Sequence, residues 1–254
     1  MNRRLVLCAI VPLLLAGAAS QAQTYADTTG HRVLFIGDSI TDGDWGKRDG
    51  KPSKDRPQWD WNHIFGHGYM EHCATWYMAY HPEAKLQFFN RGISGNRLSD
   101  LEARWDEDCL AIRPEVISIL IGTNDIHWWL DHDVEHPFGF DAWKARFCAL
   151  LDRTREALPG VRIVLCTPFV SNSGWVAEKD YAIRNENVCR IAGVIRSICA
   201  EYGCVCVEFD TLFESLPGKY PELPLEYWSW DGIHPTPALH RLMSDLWISA
   251  VKLF

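Results

Sequence analysis

Five short runs rich in β-branched and other apolar residues recur along the chain, and stretches with helical periodicity separate most of them. The runs are Arg32–Ile36, Lys85–Phe89, Glu115–Ile121, Val161–Cys166 and Val205–Phe209. Glu115–Ile121 is nearly continuous in apolar side chains, which suits a strand buried on both faces. Helical spacing marks about Asn62 to His81, where Tyr69, Cys73, Trp76, Tyr77 and Tyr80 share a stripe. Ser99 with Glu102 predicts a capping box for a helix running to about Ile112. Further stripes are Phe140, Trp143, Phe147, Leu150 and Leu151; Val188, Ile191, Ile195, Ile198 and Tyr202; and Leu239, Leu242, Met243, Leu246 and Ala250. Strands that alternate with helices in this way predict an α/β fold with a five-stranded parallel sheet covered on both faces.

That architecture gives the polar turns a meaning. Ligands of open parallel sheets bind outside the carboxyl ends of the strands. Gly37-Asp38-Ser39, Arg91-Gly92-Ile93-Ser94-Gly95-Asn96 and Gly122-Thr123-Asn124-Asp125 each follow a strand, and Asp231-Gly232-Ile233-His234-Pro235 precedes the last helix. Ester cleavage by a serine needs a nucleophile, a base, a group that orients the base, and donors for the oxyanion. Ser39 supplies a hydroxyl where a strand turns into a helix. Asp231 and His234, three residues apart in one turn, can pair a carboxylate with an imidazole. Gly95 can bring a backbone N–H close to a ligand, and Asn124 can donate a side-chain amide. Each has a plain structural explanation too: an N-cap for Ser39, a surface turn for Asp231 and His234, a turn glycine for Gly95, a loop brace for Asn124. Their ordered occurrence at strand ends favours chemistry.

The segment Phe35-Ile36-Gly37-Asp38-Ser39-Ile40-Thr41 resembles the first block of the SGNH (GDSL-type) hydrolase family. Gly92-Ile93-Ser94-Gly95, Gly122-Thr123-Asn124-Asp125 and Asp231-Gly232-Ile233-His234-Pro235 resemble three further blocks, so the likeness runs from about residue 33 to 237. The resemblance implies a three-layer flavodoxin-like fold and acyl transfer without metal or other cofactor. It implies Ser39 as nucleophile, His234 as base and Asp231 as its partner. The oxyanion donors it implies are the Ser39 and Gly95 N–H groups and the Asn124 amide.

The amino terminus is expected to lie outside this fold. Arg3 and Arg4 precede an apolar run of 14 residues, Leu5 to Ala18, and Ser20-Gln21-Ala22 places small residues where a signal peptidase reads. Residues 1–22 are therefore expected to be a cleaved export signal, with one hydrolase domain over 23–254 and a periplasmic or extracellular destination. A membrane span needs about 20 apolar residues, so stable insertion is not expected after cleavage. Cleavage removes two positive charges and takes the net charge from −8 to −10. An acidic chain without a basic cluster argues against nucleic acid as a partner. The eight cysteines after Cys8 fit either disulfides of an exported protein or buried thiols. His127, Asp131, His132, Asp133 and His136 crowd one segment, and His63 and His67 stand four apart. The latter pair lacks the intervening glutamate of a zincin helix, and the serine set needs no metal.

Twelve tryptophans invite a reading of the substrate. Trp45, Trp59, Trp61, Trp128, Trp129, Trp175, Trp228 and Trp230 fall in expected loops. Trp128 and Trp129 closely follow Asn124, and Trp228 and Trp230 closely precede Asp231, so these four are candidate substrate-binding residues. Flat aromatic faces suit sugar rings, which points to an O-acyl, chiefly O-acetyl, ester on a carbohydrate, either a small molecule or a polysaccharide. Packing of the same tryptophans against the core is the alternative. Two further functions stand open: a lysophospholipase or short-chain lipase or thioesterase, and a non-catalytic glycan-binding protein.

Overall fold

The computed structural model describes residues 31–43 and 63–254. The expected export signal over 1–22 and the tryptophans at 45, 59 and 61 lie outside the described residues. The parallel strands are β1 (Arg32–Gly37), β2 (Gln87–Gly92), β3 (Val116–Leu120), β4 (Arg162–Cys166) and β5 (Val205–Val207). They pair in the order β2-β1-β3-β4-β5, the flavodoxin-like order.

Alternation along the strands builds two cores. Val33, Phe35, Val164 and Cys166 face α2 (Tyr69–Tyr80), α8 (Phe209–Lys219) and α9 (Pro237–Val251). Leu34, Ile36, Ile117 and Ile119 face α3 (Leu98–Trp105), α5 (Phe140–Ala157) and α7 (Tyr181–Tyr202). The result is the expected three-layer sandwich. A buried tryptophan anchors each side. Trp247 of α9 lies 4.8 Å from the Phe35 ring and donates its indole N–H to Ser118 Oγ at 2.9 Å. Trp105 of α3 donates to Thr154 Oγ1 at 2.9 Å. Each indole thus buries its apolar body and satisfies its single donor.

Several boundaries differ from the sequence expectation for identifiable reasons. The helix expected from Asn62 begins at Tyr69, because Gly66 and Gly68 sit in the turn that closes on Gly43. β2 runs on through Asn90 and Arg91, since an edge strand tolerates polar residues and Asn90 turns inward to a backbone cluster. Ser99 does not cap α3. The helix starts one residue earlier, and Asp100 accepts the Arg97 N–H at 2.8 Å. Beyond Trp105 it continues through a wider turn over Asp106–Leu110. α4 (Thr123–His132) occupies what was expected as loop, so Trp128 and Trp129 are helical. Trp175 also lies on a short helix, α6 (Gly174–Ala177). All eight cysteines among the described residues are free thiols, and Cys73, Cys109, Cys166 and Cys199 are buried as small apolar groups. No helix among the described residues is long and apolar enough to cross a membrane.

Candidate active site

The register of the sheet brings the polar turns together. Gly37 is paired with Gly92 on one side and Leu120 on the other, so β1, β2 and β3 end side by side. Ligand crevices form where strand order reverses, and here that point lies between β1 and β3. Ser39 opens α1 (Ser39–Asp42) directly after β1. A Cβ at Gly92 would stand 2.1 Å from the Asp42 nitrogen, so only glycine lets β2 approach α1 this closely.

Ser39 Oγ lies 2.8 Å from His234 Nε2, and His234 Nδ1 lies 2.6 Å from Asp231 Oδ2. The other carboxylate oxygen, Asp231 Oδ1, accepts the backbone N–H groups of Ile233 at 2.9 Å and His234 at 2.7 Å. Burial works to raise the Asp231 pKa. The bonds from the His234 ring and backbone outweigh it and hold the carboxyl below its ordinary value, so it stays ionised. The loop carrying this pair is braced at both ends. Ser229 bridges to Pro235, Gly232 N–H donates to Ser229 Oγ, and Thr236 N–H donates to the Trp228 carbonyl.

Gly95 has φ +81°, a left-handed conformation that L side chains resist, and the space where a Cβ would point is open. Asn124 donates one amide proton to the Asn96 carbonyl at 3.1 Å, which fixes the side chain and uses one of its two donors. The turn holding Gly95 and the end of β1 are tied by one guanidinium. Arg104 donates to Gly37 O at 3.1 Å, Asn96 Oδ1 at 2.8 Å and Asp108 Oδ2 at 2.7 Å. Nothing in the sequence marked Arg104, which reads as an exposed helix position. Asp125 was likewise visible only as a motif letter. It accepts from the Leu98 N–H and from Trp143 Nε1 at 2.9 Å, clamping the start of α4 to α3 and α5.

Asp38 stands beside the serine, buried, and accepts the Ile40 N–H at 2.9 Å. Burial pushes its pKa from 3.8 to about 6. The folded state therefore keeps this proton over a range in which the unfolded chain has lost it. Stability falls as pH rises from about 4 to about 6 and stays reduced above that. Asp38→Asn keeps an acceptor for Ile40 without this cost. The variant is expected to gain on the order of 2–3 kcal/mol over the parent at pH 8, with the gain vanishing near pH 4. Denaturant melts at the two pH values measure it, and a gap that does not change with pH would contradict the assignment.

The tryptophans divide. Trp128 and Trp230 are 45% and 58% exposed, and the Arg97 guanidinium lies over the Trp128 ring at 4.6 Å. Trp228 is a correction to the sequence reading: it is only 4% exposed and packs between Tyr220 and Tyr227. Trp129 is partly exposed; it packs on Phe138 and donates its indole N–H to the His136 carbonyl. Neighbours on a helix point about 100° apart, so α4 can expose Trp128 only by turning Trp129 inward. The crowded His and Asp segment is dispersed. His136 bonds Asp133, His132 bonds the Trp128 carbonyl, and Asp131 pairs with Arg184. His63 and His67 bond each other at 2.7 Å.

Comparison with known proteins bears on the family and the fold. The model of the GDSL-like lipase/acylhydrolase family matches residues 35–242. An acetylxylan esterase from Geobacillus stearothermophilus is 31% identical over 228 residues, covering 88% of this chain and 94% of that protein. The crystal structure of an acetylxylan esterase from the same organism superposes with a TM-score of 0.70 over 89% of this chain and 95% of the other, at 28% identity. Solved structures also include catalytic mutants of that enzyme, one with a serine and one with an aspartate replaced by alanine. A GDSL-like lipase from Parabacteroides merdae superposes with a TM-score of 0.73 at 32% identity, covering 88% of this chain and 96% of that one.

Proposed function

This chain belongs to the GDSL-like lipase/acylhydrolase family and is a carboxylic ester hydrolase, and from that premise we propose that it removes O-acetyl groups from a carbohydrate through an acyl-enzyme on Ser39. The observation that carries the mechanism is the unbroken line of hydrogen bonds from Ser39 Oγ through His234 to Asp231. As Oγ attacks the ester carbonyl, His234 Nε2 takes its proton, and Asp231 steadies the imidazolium that results. The Ser39 and Gly95 N–H groups and the Asn124 amide receive the oxyanion. Collapse expels the sugar hydroxyl with the proton from His234. Water, deprotonated by the same ring, then releases acetate and restores Ser39.

The acetyl and carbohydrate parts of the reading rest on the acetylxylan esterase relative and on the exposed rings of Trp128, on the helix that carries Asn124, and Trp230, next to Asp231. A series of p-nitrophenyl esters from acetate to octanoate, with Ser39→Ala as control, tests the acyl side. Acetate is expected to be favoured over octanoate by at least about tenfold, as a pocket closed to extra methylenes requires. A preference for octanoate would support the lipase reading instead. Release of acetate from acetylated xylo-oligosaccharides tests the alcohol side.

A further inference from the structure

Among the described residues, three buried polar nitrogens near the Trp175 ring have no hydrogen-bond partner: His127 Nε2, Arg184 Nε and Arg184 Nη1. His127 lies one helical turn beyond Asn124 on α4 and within electrostatic range of both Asp231 and His234. Arg184, near the start of α7, is completely buried, and its Nη2 is committed to Asp131 at 2.7 Å. Trp175 touches both groups. Its ring meets the His127 ring edge-on at 5.9 Å and the Arg184 guanidinium at 5.0 Å. Trp175 is itself partly exposed, and the helix that carries it is fastened to the active-site loop by the Val176 N–H on the Asp231 carbonyl at 3.1 Å.

Buried polar groups left without partners are costly, and a cluster of them in one place calls for a ligand or water. We propose that His127 and Arg184, covered by Trp175, form a subsite for a hydroxyl group of the substrate's sugar, which makes His127 a specificity-determining residue. This rests on the carbohydrate reading above and names a part of the substrate's alcohol side. The chemistry selects the ligand. A hydroxyl donates and accepts at once, so it can donate to the imidazole nitrogen while accepting from the guanidinium. A carboxylate satisfies the guanidinium alone, and its charge is poorly matched to an arginine already paired with Asp131. An acyl chain satisfies neither. Burial first, and the neighbouring Arg184 charge second, lower the His127 pKa to about 4, so the ring is neutral and able to accept at ordinary pH.

The test replaces His127 with Phe, which keeps a ring against Trp175 and removes both nitrogens. Arg184 is left in place, because truncating it would strand Asp131. kcat/KM is measured for acetylated xylobiose and for p-nitrophenyl acetate, which has no sugar. The ratio of the two is expected to fall at least about tenfold, as loss of a buried hydrogen bond to a substrate hydroxyl predicts. An unchanged ratio, whether both activities drop together or neither does, overturns the proposal. A parent enzyme that cleaves p-nitrophenyl acetate but not the sugar ester overturns the carbohydrate reading itself, and this inference with it. Should His127→Phe fail to fold, crystals of Ser39→Ala with xylobiose decide. A sugar hydroxyl within hydrogen-bond distance of His127 Nε2 supports the subsite. An ordered water there, with the sugar seated elsewhere, refutes it.

Discussion

Ser39→Ala is expected to lower turnover of p-nitrophenyl acetate by on the order of 10⁴–10⁶-fold and to leave the melting temperature close to that of the parent. The size of the loss follows from what the substitution removes. Ser39 Oγ bonds His234 Nε2, and no water-based route can use the cleft with comparable alignment once that oxygen is gone. The small effect on stability follows from what it spares. The cap of α1 is made by the Asp38 side chain on the Ile40 N–H, and neither group is altered. Near-neutral p-nitrophenyl acetate assays and thermal melts on the same preparation provide the check. Retention of more than about a hundredth of parental activity by a folded variant would mean that another group attacks the ester.

Asp231→Asn is expected to cost on the order of 10⁴ in kcat with little change in KM, for a reason of tautomer rather than charge alone. Asp231 Oδ1 accepts two backbone N–H groups, so an asparagine there must keep its carbonyl oxygen on them. Its NH₂ then faces His234 Nδ1, where Asp231 Oδ2 had been at 2.6 Å. An amide that donates to Nδ1 forces the ring proton onto Nε2. That nitrogen points at Ser39 Oγ and can no longer take its proton. Because the backbone bonds survive, the loop keeps its shape, and a crystal structure of the variant is expected to superpose on the parent. A loss below about tenfold would show that His234 finds its orientation elsewhere.

Much of this was legible in the sequence because the constraints are local. Val33 to Ile36 are apolar on both faces and Val116 to Leu120 are apolar but for Ser118, and short β-branched runs of this kind suit a covered parallel strand. The residues proposed for chemistry stand where strands end or where the last helix begins, and the fold gathers those ends without further information. What stayed hidden depends on partners distant in sequence. α4 escaped notice because several of its buried residues are polar: Asp125 is held by bonds from α3 and α5, and His127 lies against the Trp175 ring of α6. Polar residues at core positions erase the apolar stripe by which helices are recognised. α8 was missed for a different reason. Phe209 reads as the end of a strand, and Pro217 and Gly218 read as breakers, yet the proline sits in a last turn that other contacts hold. Trp228 shows the limit of proximity arguments. It lies three residues from Asp231 and still turns into the core.

The position of the Asp231–His234 loop gives the chain a timetable. A ribosome delivers Ser39, Gly95 and Asn124 first, and the pair that would arm the serine emerges more than a hundred residues after Asn124. Arrival alone does not complete the assembly. The loop is set against β1 by α9, whose Trp247 rests on Phe35 and bonds Ser118 in the central strand. On the proposed mechanism a nascent chain therefore carries its Ser39 hydroxyl unarmed until α9 closes on the sheet, and is expected to gain the power to cut esters only then.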